Sequence, residues 1–335
     1  MIGVVSDPLF MSHDTGGYHP EAPMRIHYIH TLFAGKDPDI AIIDPVQASI
    51  EDIVLNHERS YIDSVKRSCS SNRYVDLDPD TVCSQDSYET ALYAAGSVIE
   101  LVRMALSGDI DSGFASIRPP GHHATPDEAM GFCIFNNVAI AANKAIRAFG
   151  VDRVIIIDFD VHHGNGTQES FYSNKDVLYF SSHQHPFYPG TGRLNETGSK
   201  SAQGYTVNCP LRGGKRDGEM VALYRSVMVP IIKAFKPGLI LVSAGFDAHA
   251  MDPIGGMEIS SKGFGALAGL IRDAAQDVNS PIIYALEGGY NFDALRDSVK
   301  AVIDVMKGGS APKIEEKSFP ELDDIMKAHS QYWSL

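Results

Sequence analysis

Short apolar runs rich in β-branched residues alternate along this chain with longer stretches of helical periodicity. Val154-Ile155-Ile156-Ile157 and Leu239-Ile240-Leu241-Val242 are two such runs. They predict strands buried on both faces, and the alternation predicts a parallel sheet covered by crossover helices. The predicted strands cover residues 2–6, 40–44, 113–117, 153–158, 177–181, 205–208, 239–244 and 282–286. The predicted helices cover residues 88–106, 138–149, 220–235, 264–278 and 295–306.

The length and apolar content of the chain favour one large domain. Of its 335 residues, 44% are hydrophobic, which is enough to bury a single large α/β core. The linker-like stretch 307–317 follows the last predicted helix. We therefore expect one domain over residues 1–307 and a tail over residues 308–335 that packs on it.

Charge and cysteine usage exclude several classes of protein. A formal net charge of −14 disfavours direct nucleic-acid binding. No apolar run approaches the roughly 20 residues of a membrane span, and residues 1–10 lack the features of a secretory signal, so we expect a cytoplasmic protein without a membrane partner. The four cysteines form no C-x-x-C pair, which argues against disulfides and against a thiolate zinc site.

Polar residues follow four of the predicted strands, where α/β proteins place their ligand sites. After the run at 154–157, the two-residue spacing of Asp158, Asp160 and His162 puts these side chains on one side of an extended segment. With Asp247, which follows another strand, Asp160 and His162 make one nitrogen and two oxygen ligands and leave a position open, as catalytic zinc requires. The alternative is that Asp158 and Asp160 cap a helix and His162 is exposed.

Two further groups suit general acid–base chemistry. His122 and His123 follow Pro119-Pro120-Gly121 at a strand end. Tyr290 follows a Gly-Gly turn and could donate its hydroxyl to an oxyanion, although a tyrosine in such a place is more often a packing residue. A metal, an imidazole pair and a phenol together predict hydrolysis of an unactivated carbonyl, and no nucleophile elbow or phosphate-binding loop competes.

Five motifs in order resemble the histone deacetylase superfamily, which includes acetylpolyamine amidohydrolases. The likeness extends from residue 19 to about residue 306. The motifs are RPPGHHA (118–124), GFCIFNN (131–137), DFDVHHGNGTQ (158–168), SAGFDAH (243–249) and LEGGYN (286–291). The resemblance implies a single arginase-like α/β deacetylase domain with a central eight-stranded, mostly parallel sheet flanked by helices.

The resemblance also implies roles for the site residues. Asp160, His162 and Asp247 would bind one Zn²⁺ per chain, with Asp158 behind His122. His123 would be the general base toward the metal-activated water and then the acid toward the leaving amine. His122 would give electrostatic support, and Tyr290 would bind the oxyanion.

The same matching implies a substrate channel and a structural potassium ion. The channel residues are Gly131, Phe132, Tyr188, Ile254 and, at the rim, Asp80. The potassium residues are Asp158, Asp160, His162, Ser181 and Ser182. Arg25 would lie near an internal cavity for acetate release.

Two departures point to the class II branch of the superfamily. Asn165 stands where class I enzymes have a second aspartate, and Glu287 replaces a glycine of their GGGGY motif. A neutral Asn165 should leave the pKa of His123 lower than an aspartate would. Tyr290 matches the catalytic form, so we expect an active enzyme.

The expected reaction is zinc-dependent removal of acetyl or other acyl groups from lysine side chains or from small amines such as polyamines. The sequence does not separate these substrates, although the segment 68–85 is short for a dimerising loop and favours a wide channel. It leaves the oligomeric state open, a homo-oligomer included. The alternatives are an arginase-like ureohydrolase with two manganese ions and a non-catalytic acyl-amine binding protein.

Overall fold

Eight strands form one parallel sheet in the computed structural model, which describes residues 1–71 and 73–335. The strands of the chain are β1 (Ile2–Ser6), β2 (Ile40–Ile42), β3 (Val75–Asp78), β4 (Thr81–Cys83), β5 (Ser112–Ser116), β6 (Val154–Asp158), β7 (Val177–Gln184), β8 (Thr206–Leu211), β9 (Leu239–Ala244) and β10 (Ile282–Leu286). The order in the sheet is β2-β1-β5-β10-β9-β6-β7-β8, and every neighbouring pair is parallel. The predicted single α/β domain with an eight-stranded sheet is confirmed.

Helices flank this sheet, because strands buried on both faces need a cover on each. The helices are α1 (Met24–His30), α2 (Ile50–Ile53), α3 (Arg59–Cys69), α4 (Ser87–Ser107), α5 (Asn137–Ala148), α6 (Asn165–Phe171), α7 (Asp217–Leu223), α8 (Val229–Phe235), α9 (Ser261–Val278), α10 (Phe292–Met306) and α11 (Pro320–His329). Helix α4 packs against α5, and helix α9 packs against α10, α7 and α8. Within the described residues, no helix has both the length and the apolar content that a bilayer crossing requires.

The helix predicted over residues 220–235 is interrupted. It starts earlier, at Asp217, and a π-helical turn at Tyr224–Met228 separates α7 from α8. Pro230 lies in the first turn of α8 and has no N–H to continue the regular hydrogen-bond ladder. A wider turn just before the proline accommodates this loss.

Some short elements were not predicted. The antiparallel hairpin of β3 and β4 is separate from the main sheet, and α1, α2, α3 and α6 have at most 11 residues. Such lengths carry little periodic signal. The hairpin matters for the site, because its turn carries Asp80.

The tail contacts the sheet through α11, which packs beside β8. Phe319, Leu322 and Ile325 are buried within the main hydrophobic core. Further along, the indole Nε1 of Trp333 donates a hydrogen bond to the carbonyl of Gly204 at 2.7 Å.

The sheet order brings the four polar segments of the sequence together. They follow β5, β10, β9 and β6, which are consecutive neighbours in the sheet. Parallel strands end at the same edge, so the four segments meet at one end of the sheet.

Candidate functional site

Asp160, His162 and Asp247 converge at this carboxyl edge. Each offers one ligand atom, all three are buried, and these atoms lie within 4.8 Å of one another. Nδ1 of His162 is 3.1 Å from both Asp160 Oδ1 and Asp247 Oδ2. The tertiary structure thus joins residues from two separate loops into one group.

Backbone hydrogen bonds orient the two carboxylates of this group. Val161 N–H donates to Asp247 Oδ1 at 2.8 Å, and Gly288 N–H donates to Asp160 Oδ2 at 2.9 Å. A Cβ atom on Gly288 would lie 2.2 Å from Asp247 Oδ2. Only glycine therefore lets the turn after β10 approach so closely.

The charge of this group suits a divalent cation. Burial and the neighbouring carboxylate of Asp160 raise the pKa of Asp247 above its usual range. Two buried carboxylates are costly unless a positive charge compensates them. One imidazole and two carboxylates, with a position left for substrate, are a donor set that fits zinc.

His122 lies beside the Asp160–His162–Asp247 group and is hydrogen-bonded to Asp158. Its Nδ1 is 3.1 Å from Asp158 Oδ2, which also accepts the hydroxyl of Tyr179 at 2.9 Å. Burial opposes a charge on His122, but Asp160 and Asp158 outweigh it and raise the pKa of His122 to about 10. These carboxylates therefore favour the imidazolium form of His122.

His123 has the opposite character. Its Nδ1 is 2.8 Å from Asn165 Oδ1, while the amide nitrogen of Asn165 donates to the His123 carbonyl at 3.3 Å. This arrangement leaves the proton on Nδ1 and a free lone pair on Nε2. Burial, followed by the charges of His122 and His162, lowers the pKa of His123 well below 6.5, which favours its neutral form.

Aromatic rings surround the imidazoles. The ring of Tyr188 lies edge-on to His123 with centroids 5.2 Å apart, and Phe132 lies edge-on to Tyr290 at 5.8 Å. Gly131 has φ +54°, and a Cβ there would lie 2.5 Å from His123 Cδ2. Of the predicted channel residues, Gly131 and Tyr188 therefore border His123, and Phe132 borders Tyr290.

Tyr290 lies between the aromatic wall and a buried arginine. The guanidinium of Arg25 is 5.1 Å from the centre of its ring. Burial, with the charge of Asp247 adding to it, raises the pKa of Tyr290 well above 10. The phenol keeps its proton at neutral pH and can donate a hydrogen bond.

The remaining predicted residues lie around this centre. Ile254 is half-buried in the loop after β9, and Asp80 is exposed on the turn of the β3–β4 hairpin, near Phe132, whose N–H donates to Thr81 Oγ1 at 3.0 Å. Ser181 and Ser182 are buried in β7, and Ser181 is the register partner of Asp158 in β6.

Arg25 is fully buried beneath the site. Its guanidinium donates to the carbonyls of Glu287 and Gly289 and pairs with the buried carboxylate of Glu21.

Sequence reasoning missed three residues of the site. Phe187 stacks on His162 at 5.2 Å, and His19 lies edge-on to Phe132 at 4.7 Å. The carboxylate of Asp252 accepts the N–H of Tyr290 at 2.6 Å. Phe187 and Asp252 are close in sequence to residues that were selected, and proximity to a motif was the one available signal.

A cavity of about 780 Å³ lies at the opposite, amino-terminal edge of the sheet and contains none of these residues. The fold and the group at the carboxyl edge define an α/β protein with a buried carboxylate–imidazole group that can bind a metal, beside two histidines whose pKa values are shifted in opposite directions.

Comparisons with known proteins identify the family to which this α/β protein belongs. The family model described as histone deacetylase domain matches residues 19–306. A probable deacetylase of Archaeoglobus fulgidus is 33% identical and aligns over 99% of this chain and 98% of its own length. The crystal structure of the HDA15 HD domain superposes with a TM-score of 0.92 at 34% identity, covering 99% of this chain and 97% of that one. The chain belongs to the histone deacetylase family.

Plant relatives are longer than this chain. Histone deacetylase 10, chloroplastic, of Oryza sativa is 41% identical over 78% of this chain, and histone deacetylase 5 of Arabidopsis thaliana is 37% identical over 91%. The alignments cover 61% and 49% of those proteins. This chain therefore spans only about half to three fifths of the length of these relatives.

Proposed function

We propose that this protein is a zinc-dependent amidohydrolase that removes acetyl groups from lysine side chains or small amines. The observation that carries the proposal is the position of His123 beside the Asp160–His162–Asp247 group, with its ring centroid 5.9 Å from that of His162. Membership of the histone deacetylase family supports it over an arginase-like ureohydrolase.

Each residue of the site has a separate role in the proposed reaction. Asp160, His162 and Asp247 would hold zinc, which supplies Lewis acidity that polarises the amide carbonyl and makes water more acidic. Nε2 of His123 takes the proton of the attacking water and returns it to the leaving amine. His122, held as an imidazolium by Asp158, stabilises negative charge in the transition state, and Tyr290 donates its hydroxyl to the oxyanion.

For substrate choice, we propose a channel that accepts both acetyl-lysine and acetylated small amines. The hairpin of β3 and β4 spans only residues 75–83, and Ile254 is half-buried in the loop after β9, where its N–H donates to Asp252 Oδ1 at 3.0 Å. Asp80, exposed on that hairpin, would contact substrate backbone at the rim.

We also propose a structural potassium ion near Asp158 and Ser181. These residues are buried partners on neighbouring strands, and Ser182 follows on the same strand. The main-chain oxygens of Asp160 and His162 would complete the site. Replacing potassium by a bulky organic cation should lower the melting temperature, which thermal denaturation would detect.

The test of the main proposal is a side-by-side assay with measured metal content. The purified protein should release acetate from acetyl-lysine peptides and from acetylated polyamines with one zinc ion per chain. Tyr290→Phe should retain zinc and lower turnover by about 10²-fold, the scale of losing one oxyanion donor. His162→Ala should instead lose zinc itself. Two manganese ions per chain without acetate release would refute the proposal.

A further inference from the structure

Buried side chains hold three consecutive N–H groups in the turn after β5. Oε2 of Glu287 accepts the N–H of Gly121 at 2.7 Å and that of His122 at 3.2 Å. The next N–H, of His123, points to Cys133 Sγ at 3.5 Å. The main chain is therefore restrained at the two residues that carry the imidazoles.

Burying Glu287 costs more free energy than burying a residue with only a packing role. Its side chain is fully buried, and its second oxygen, Oε1, has no hydrogen-bond partner among the described residues. An unpartnered buried carboxyl oxygen costs free energy that an apolar residue of the same size would not. Such an exception in a buried polar network calls for a functional reason.

We propose that Glu287 is a positioning residue for the amide hydrolysis, holding the backbone from which His122 and His123 reach the reacting atoms. The inference rests on the proposed function, because it assigns Glu287 to that reaction. It adds a residue from the loop after β10 to a histidine pair that follows β5.

The geometry explains why this restraint matters. Asp158 and Asn165 fix the ring ends of His122 and His123 at 3.1 and 2.8 Å. Glu287 instead restrains the main chain to which the two imidazoles are attached, through the N–H groups of Gly121 and His122. With one end released, each ring pivots about its remaining contact, and a shift of about 1 Å can lower a rate about 10²-fold.

Glu287→Gln and Glu287→Met form a matched pair for the test. Both remove the charge and keep the volume, but only glutamine retains an oxygen that can accept the two N–H groups. Each variant is assayed on an acetyl-lysine peptide and on an aryl acetate, with metal content and melting temperature measured. The aryl acetate needs no proton on its leaving group, so it depends less on the imidazoles.

We expect Glu287→Gln to keep the amide kcat within about threefold, and Glu287→Met to lower it by about 10²-fold with KM and zinc content little changed. The loss of kcat on the aryl acetate should be about tenfold smaller than the loss on the peptide, because misplaced imidazoles affect the two substrates unequally. A loss of folded protein would instead lower both rates equally.

Three results would overturn the assignment: unchanged amide turnover in Glu287→Met, an equal loss in Glu287→Gln, or equal losses on the two substrates. A wild-type protein that does not hydrolyse the peptide would refute the proposed function instead.

Discussion

His122 and His123 are adjacent in sequence, yet their surroundings give them opposite properties. Two carboxylates face His122 and raise its pKa to about 10, whereas His123 has a neutral amide partner and a pKa well below 6.5. Two adjacent histidines therefore have pKa values shifted in opposite directions. Asp160 and Asp158 favour the charged form of His122, whereas burial and the charge of His122 favour the neutral form of His123.

Asn165→Asp should move the pH dependence of the reaction. An added carboxylate 2.8 Å from Nδ1 favours the imidazolium and raises the pKa of His123. A base is active only when unprotonated, so the acid limb of kcat/KM should shift upward by roughly one pH unit or more. A pH profile measures this shift, and Asn143→Asp in α5 is the control that should leave the profile in place.

At the scale of elements, loops from different strands support one another. The carboxylate of Asp252, after β9, accepts the N–H of Tyr290 at 2.6 Å and that of Asn291 at 3.3 Å. Asn291 is the N-cap of α10. One carboxylate therefore positions the phenol and the start of the following helix.

Asp252→Ala should lower turnover by about tenfold or more, because it releases the backbone of Tyr290. It should also cost about 1–3 kcal/mol of stability for the buried N–H groups left without a partner. Steady-state kinetics and urea denaturation measure the two effects. Asp252→Asn keeps an acceptor oxygen, and a loss as large as that of alanine would contradict this explanation.

A second cross-element contact joins α1 to the end of β5. Glu21 is fully buried and pairs with Arg25 and Arg118, which are equally buried. Burial opposes its charge, but Arg118 and Arg25 prevail and hold the pKa of Glu21 below its usual range. Since the folded pKa is depressed, this contribution to stability is present above about pH 4.3 and is lost as the pH falls further.

Glu21→Gln should lower the free energy of unfolding by about 3–5 kcal/mol, because it leaves the guanidinium charges of Arg25 and Arg118 buried without their shared partner. Urea denaturation at neutral pH measures the change. Glu100→Gln is the control, because Glu100 pairs with the exposed Arg103 and should contribute less than about 1 kcal/mol. Equal effects of the two substitutions would contradict the burial argument.

At the scale of the whole molecule, we propose that residues 308–335 belong to the same folding unit as residues 1–307. Phe319, Leu322 and Ile325 are part of the main core, and Nε2 of His329 lies 3.0 Å from the carbonyl of Asn208 in β8. The tail therefore covers an edge of the sheet.

Removing residues 319–335 should lower the melting temperature by roughly 10 °C, because three buried apolar side chains are lost and their neighbours are exposed. Differential scanning calorimetry measures the change. Deleting only Ser334 and Leu335 is the control and should have a small effect. Two separate transitions in the full chain would show that the tail folds independently.

Local pattern allowed most of the architecture to be predicted from the sequence. Apolar β-branched runs located the eight strands of the main sheet, since burial on both faces leaves a continuous signature over a few residues. The local pattern did not predict the β3–β4 hairpin, whose strands are too short to show a periodicity. It also did not predict the π-helical turn before Pro230, which depends on one missing N–H.

The sequence by itself determined which side chains stand at strand ends, and hence the candidates Asp160, His162, Asp247, His122 and Tyr290. Only the tertiary structure decided that β5, β10, β9 and β6 are neighbours, that Glu287 and Asp252 hold other loops in place, and that the pKa values of the two histidines shift in opposite directions. Periodicity is a property of a few adjacent residues, whereas strand order, burial and electrostatic surroundings arise from contacts between distant residues, such as His122 with Asp158, 36 positions apart, and Gly121 with Glu287, 166 positions apart.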